Sequence, residues 1–492
     1  FASELNPEMV RFRVKSGNGS LQSKIRKTVD DKLSGVPCAN QLQKTVNSSK
    51  FPTQFFESVI LMRSQFPICC SALLCWMSVI LVMSANGLFV NAETVLQKGD
   101  RLAIVGDSIT EQKQYSKFIE TYLLACYPDM EIQSFQFGWG GERAPGFANR
   151  MENDLVPWKP DVVTTCYGMN DGSYRAYEPR IGKAYEDGMR LIIDRMKAAG
   201  ATVVVGSPGV VDSATWNRNN PNFDQVYNEN LGKLGAIAKS LAEENKFPHA
   251  NVFDAMMSAM VSAKADHGDD YPVAGGDGVH PGPNGHLIMA YAFLKAMGLN
   301  GDLGTITVDM KTGKATATGG HRVLGGKSGA FDIESTRYPF CFSGNEKDPN
   351  GTVSILQHFP FNQDLNRFTL VVTNLESDSA NVTFGEATKK FSRQQLANGI
   401  NLAAEFLNNP FVEPFNRVMN EVARKQGQET SMIKGFITHF RQLPGQLKED
   451  TEATAAMATL RKKLIESNDA AHATAKAAVQ PVQYKILIAP ES

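Results

Sequence analysis

A chain of 492 residues is long enough for two domains, and a hydrophobic content of 42% supports packed cores and excludes global disorder. The formal net charge is -1, and no basic stretch is interleaved with aromatics, so nothing points to a nucleic-acid partner. Seven cysteines contain no C-x-x-C pair and no zinc spacing. No disulfide framework is expected, and Cys126, Cys166 and Cys341 read as small buried hydrophobes.

Residues 1–61 are polar, mildly basic and aperiodic, which predicts disorder. An export signal follows over residues 62–92: Met62-Arg63 opens it, Ile68 to Val82 is strongly apolar, and Val90-Asn91-Ala92 offers a small-residue cleavage site before Glu93. Met62 is therefore the expected start, with residues 1–61 a misread or truncated leader. A cleaved signal implies a secreted or periplasmic protein. The alternative is an uncleaved anchor, because apolar character persists to Val90. Membrane contact is expected through this segment only.

From Arg101 to Met297 strands and helices alternate. Strands are predicted at Leu102–Val105, Ile132–Phe137, Val162–Cys166, Val203–Gly206 and Asn251–Phe253, with helices over Gln114–Cys126, Phe147–Leu155, Ile181–Ala199 and Gln225–Asn245. Short apolar strands between amphipathic helices predict an α/β fold, a parallel sheet with helices on both faces. Sites in such sheets form beyond the carboxyl ends of the strands. Ser108, Gly138–Gly141 and Gly168–Asp171 each follow a predicted strand directly and should meet at one edge.

The character changes near Gly298. Ile306-Thr307-Val308 and Ala315–Thr318 read as a hairpin about Lys311-Thr312-Gly313-Lys314, with further strands at Val353–Gln357, Thr369–Thr373, Asn381–Phe384 and Tyr484–Ile488. Helical spacing covers Gln394–Leu407, Val412–Arg424 and Thr454–Lys476, with Pro410, Pro414 and Pro444 as breaks. Residues 93–300 are thus expected to form a catalytic domain. Residues 301–492 should form a C-terminal β module with a helical insertion, docked on it and of unread role.

The chemistry lies in the first part. Gly106-Asp107-Ser108 closes the first strand and offers a hydroxyl, which needs a base in reach to act as a nucleophile. Asp277-Gly278-Val279-His280 supplies an imidazole with a carboxylate three residues earlier that can set its tautomer. Acyl transfer also needs oxyanion donors. Candidates are the Ser108 N–H, the N–H groups of Gly140 and Gly141, and the side-chain amide of Asn170 in Gly168-Met169-Asn170-Asp171. Taken alone, each motif reads as an ordinary turn.

The order of the four blocks resembles that of the SGNH hydrolases, also called the GDSL esterase/lipase family, over about residues 95–298. The glycine block is similar to that of platelet-activating-factor acetylhydrolase catalytic subunits. The Asp-Gly-Val-His-Pro run is similar to that of bacterial thioesterase/lysophospholipases. The first block departs from the family's name in one place, with Ile109 where leucine stands. The resemblance implies a three-layer, flavodoxin-like fold. It implies Ser108 as nucleophile, His280 as base and Asp277 as orienting acid, with Ser108, Gly141 and Asn170 forming the oxyanion hole. It implies no metal and no cofactor.

Trp139, Tyr174 and Trp216 are candidates to line the substrate site, against ordinary packing. His286 reads as a packed histidine, and His267, Asp269 and Asp270 as a solvated loop. The expected function is an exported carboxylic ester hydrolase acting on small esters or acylated carbohydrates, foremost a carbohydrate O-acetyl esterase. The alternatives are a lipase, lysophospholipase or thioesterase, a non-catalytic binding protein of the cell envelope, and a metal-dependent phosphoesterase.

Overall fold

Five short, largely buried strands form a parallel sheet: β1 (Arg101–Gly106), β2 (Gln133–Gln136), β3 (Val162–Cys166), β4 (Thr202–Gly206) and β5 (His249–Ala250). The computed structural model describes residues 94–212, 222–442, 447 and 449–491. The expected leader, the expected export signal, Trp216 and Pro444 lie outside these residues. Among those described, no helix is long and apolar enough to cross a membrane.

The strand order is β2-β1-β3-β4-β5, the flavodoxin-like order. Alternation along β1 sends Leu102 and Ile104 to one face and Ala103 and Val105 to the other, and both faces are buried. Among the described residues, this part has seven α-helices: α1 (Ser108–Glu111), α2 (Tyr115–Cys126), α3 (Ala144–Asp154), α4 (Pro179–Ala198), α5 (Phe223–Asn245), α6 (Val252–His267) and α7 (Pro283–Ala296). Residues of α2, α6 and α7 cover the Leu102 face, while α3 and α4 cover the Ala103 face. The four expected helices and the first four expected strands are observed to within a few residues; α1 and α6 lie outside the expected helices, and the fifth strand, β5, precedes the expected Asn251–Phe253. Asn251 does not enter a strand there, because its side chain accepts the Asp254 N–H (3.2 Å) and caps α6. His267 consequently closes a helix, and Asp269 and Asp270 follow it.

The remainder holds β6 (Asp302–Asp309), β7 (Lys314–Ala317), β8 (His321–Lys327), β9 (Ala330–Ser335), α8 (Phe361–Leu365), β10 (Arg367–Thr373), β11 (Ser379–Phe384), β12 (Ala387–Ser392), α9 (Arg393–Asn398), β13 (Ile400–Asn401), α10 (Leu402–Glu405), α11 (Val412–Gly435), α12 (Thr451–Ala477) and β14 (Val482–Pro490). They build two sheets, ordered β13-β10-β6-β7 and β12-β11-β14-β9-β8. The expected hairpin is β6–β7, with Gly313 at φ +65°.

Three expectations fail here. Val353–Gln357 is not a strand, because Thr352 and Ser354 spend their hydroxyls on Ser343 N–H and Asp348 C=O and hold a turn. Gln394–Leu407 is not one helix: Gly399 (φ +93°) ends α9, and Ile400-Asn401 pairs with β10 before α10 begins. Pro414 does not break a helix but sits in the first turn of α11, where its missing N–H costs nothing.

The two parts join across α2 and the free edge of β2. Tyr122 Oη donates to Leu365 C=O (2.6 Å), and Phe118 meets Phe340 edge-on at 5.9 Å. At β2, side chains of α11 take the place of a neighbouring strand. Lys425 Nζ donates to Ser134 C=O (2.7 Å), and Glu429 Oε2 accepts the Gln136 N–H (3.1 Å). Lys425 also lies 2.9 Å from Glu120 and 2.5 Å from Glu429, with all three side chains buried. The cluster satisfies an edge that would otherwise be open to pairing.

Candidate active site

Beyond the carboxyl end of β1 the chain turns abruptly into α1. A Cβ on Gly106 would stand 2.1 Å from Thr110 Oγ1 and 2.8 Å from Cys166 C=O, so only glycine fits. Asp107 caps α1 by accepting the Ile109 N–H (3.0 Å). Ser108 is thereby the first helical residue, and its N–H is one of those without an intrahelical partner. Burial pushes the Asp107 carboxyl up to about 7.

Ser108 Oγ lies 2.9 Å from His280 Nε2, and His280 Nδ1 lies 2.7 Å from Asp277 Oδ2. The other Asp277 oxygen accepts the N–H groups of Val279 (2.9 Å) and His280 (2.8 Å). Partial burial raises the Asp277 pKa, but these hydrogen bonds outweigh it and hold the carboxyl below its ordinary value. The loop needs Gly275, at φ +83°, because a Cβ there would stand 1.7 Å from the His280 carbonyl oxygen. Asp212 N–H fastens the same loop by donating to Gly278 C=O (2.9 Å). The His280 side chain is 35% exposed and that of Asp277 57%, so the dyad opens to solvent.

Two further blocks stand at this edge. Asn170 Nδ2 donates to Glu142 C=O (3.1 Å) and more weakly toward Asp107 (3.5 Å), while its Oδ1 accepts from Tyr174 Oη (3.1 Å). Those bonds fix which side of the amide carries hydrogens. Asp171 ties the block to the start of α3 by accepting the Gly168 and Ala144 N–H groups, each at 3.0 Å; burial pushes it up to about 6. In the glycine turn, Gly140 N–H is already taken by Glu111 Oε2 (2.5 Å). Gly141 N–H makes no hydrogen bond among the described residues, its φ is +72°, and a Cβ there would meet nothing within 4 Å.

Trp139 is half-buried, with the Arg150 and Lys434 cations over its ring at 5.0 and 4.7 Å. Tyr174 is half-buried too and stacks on Tyr227 at 5.1 Å. His286 is buried, bonded to Gln112 Oε1 (2.9 Å) and accepting the Tyr115 N–H (3.3 Å); burial drives its pKa down to about 3. His267, Asp269 and Asp270 belong to no group of three or more metal-ligating side chains among the described residues.

Several supporting residues were missed in the sequence. Arg150 binds both oxygens of Glu142 (2.7 and 2.8 Å), Phe137 C=O (2.8 Å) and Asp154 (3.0 Å), and Tyr167 Oη also reaches Glu142 (2.8 Å). Glu142 directly follows the glycine pair, but nothing local announces a partner eight residues away. Glu111 sits three residues after Ser108, the spacing of a capping box. Asp107 is the cap instead, which leaves Glu111 for Gly140.

The GDSL-like lipase/acylhydrolase family profile matches residues 104–288, the stretch that carries all four blocks. This stretch is a GDSL (SGNH) hydrolase domain. The chain is 25% identical to an acetylxylan esterase of Geobacillus stearothermophilus over 223 residues, 41% of this chain and 94% of that enzyme. A crystal structure of an acetylxylan esterase of that species aligns at 22% identity over 42% of this chain and 96% of its own, with a TM-score of 0.35. A gut microbial diltiazem-metabolizing enzyme shares the fold at a TM-score of 0.63 and 21% identity, over 80% of this chain and 98% of its own. That likeness reaches well past the GDSL domain into the second part. As a GDSL-type enzyme the protein is a carboxylic ester hydrolase.

Proposed function

We propose that the protein is a serine esterase that removes acetyl groups from carbohydrates through an acyl-enzyme. The observation that carries this reading is the Ser108 Oγ to His280 Nε2 contact of 2.9 Å, backed by Asp277 at 2.7 Å. Ser108 Oγ attacks the ester carbonyl as its proton passes to His280 Nε2. The imidazolium that forms is stabilised by Asp277 through Nδ1–H. The carbonyl oxygen, now an oxyanion, accepts hydrogen bonds from the Ser108 and Gly141 N–H groups and from the Asn170 amide hydrogen that otherwise makes the long contact toward Asp107 (3.5 Å). Collapse breaks the bond to the alcohol, which leaves with the proton from His280. Water then attacks the acyl-enzyme, gives its proton to His280, and releases the acid and Ser108.

The acetyl preference is supported by the open, half-solvated dyad and by the name of the acetylxylan esterase relative. Export is part of the same proposal, supported by the apolar segment from Ile68 to Val82 and the Val90-Asn91-Ala92 site. Initial rates on nitrophenyl acetate and octanoate, alongside acetate release from acetylated xylo-oligosaccharides, test the substrate. The acetyl ester and the oligosaccharide should be the better substrates. A strong octanoyl preference would replace this reading with a lipase or thioesterase.

A further inference from the structure

We infer that Lys434, on helix α11 of the second part, is a positioning residue for the oxyanion turn of the esterase site, acting through Glu111. The inference rests on the serine-esterase reading above and adds a residue that lies outside the matched family segment, 104–288.

The turn Gly138–Gly141 is exposed at its tip, where Gly140 and Gly141 lie. Its base is fixed separately, because Trp139 N–H donates to Gly106 C=O (3.0 Å) and Gly138 N–H to the Gln136 side-chain Oε1 (2.7 Å). Among the described residues, the tip has one side-chain fastening on its N–H groups, the bond from Gly140 to Glu111 Oε2. Glu111 ends the helix that Ser108 begins, so this carboxylate spans nucleophile and oxyanion turn. Its second oxygen, Oε1, is held by Lys434 Nζ, which also lies 4.7 Å above the Trp139 ring. One cation thus touches both sides of the turn.

The neighbouring Lys113 does not duplicate the contact, because its Nζ bonds the Glu111 backbone carbonyl (2.6 Å) and Thr430. Lys434 shares its helix with Gln426, Glu429 and Thr430, which anchor α11 on α2 and β2. At spacings of three to four residues they lie on one face, so the helix delivers Lys434 to a defined place. Without the cation, Glu111 loses the partner that orients it. Gly140, and Gly141 with it, then sample positions in which one oxyanion donor is misplaced. The oxyanion exists only on the way through the reaction, so the loss should fall on kcat and leave KM alone.

The test is steady-state kinetics of the full chain on nitrophenyl acetate for Lys434→Ala, Lys434→Arg, Glu111→Gln and the Ala/Gln double variant, with Arg417→Ala as a charge control on the same helix. Weakening rather than deleting a donor should cost about tenfold in kcat, against about 10²–10³ for outright removal. Lys434→Ala should show that loss with KM unchanged, and Lys434→Arg should restore most of it. The double variant should be no worse than Glu111→Gln, because both changes break one chain of contacts. An unchanged kcat in Lys434→Ala would overturn the inference. So would losses that multiply in the double variant, or a fall in melting temperature with kcat intact, which a purely structural tie would give. If the wild-type chain neither turns over the ester nor takes a fluorophosphonate label at Ser108, the esterase reading falls and this one with it.

Discussion

The dyad at the sheet edge and the cluster under helix α11 are built from the same materials and do opposite things. Asp277 and His280 are three residues apart, held by a loop and half open to water, with the imidazole 2.9 Å from a hydroxyl. Lys425 and Glu429 are four residues apart on a helix, fully buried, and joined to Glu120 and to the backbone of β2. In the first, solvent access keeps charged groups able to exchange protons with a substrate. In the second, burial makes every group depend on its partners, so the side chains serve to finish a sheet edge. Access to water accompanies the reactive site and burial the structural one.

Ser108→Ala should break the comparison hardest on the reactive side. Turnover of nitrophenyl acetate should drop by about 10⁴ to 10⁶, with the melting temperature close to wild type, because deleting one member of a catalytic set costs nearly as much as deleting all. On the structural side, Lys425→Ala leaves two buried carboxylates facing each other and Ser134 C=O without its donor. Denaturant titration should show a loss of about 3–5 kcal/mol, the usual result of removing one partner of a buried pair. Asn170→Ala removes one oxyanion donor and should lower kcat by about 10²–10³ with the fold intact. Unchanged turnover would remove Asn170 from the scheme.

The smallest effect is a pH dependence of stability carried by Glu429 in the buried cluster. Burial, together with the like charge of Glu120, pushes Glu429 from its ordinary 4.5 to about 8, even though Lys425 opposes the shift. The folded chain therefore holds this proton where the unfolded chain releases it. Glu429 contributes most to stability below about 4.5, and that contribution is lost as pH rises through about 8. Glu429→Gln keeps the shape and removes the titration. Its melting temperature minus that of wild type should grow between those two values, and a constant difference would show that Glu429 does not hold the proton.

The catalytic half was legible because its signals are strong and local. Strands such as Leu102–Val105 are buried on both faces and so are continuously apolar, and the motifs fall at their ends. The second half hides its strands. β8 contains Gly325-Gly326 and is mostly exposed, and β12 carries Lys389-Lys390, so neither shows a strong apolar alternation. Helix α11 runs past its expected end at Arg424 to Gly435, and Lys425 and Glu429 in the added turns are fully buried. Glu111 and Lys434 stand 323 residues apart, and no spacing rule connects them.

The central claim is that Ser108 is activated by His280. It is tested most directly by treating the folded full-length chain with a fluorophosphonate probe and locating the adduct by peptide mass spectrometry. Labelling should occur at Ser108 and should be lost in His280→Ala while that variant remains folded. A folded wild-type chain unlabelled at Ser108, or labelling that survives loss of the imidazole, would contradict the account.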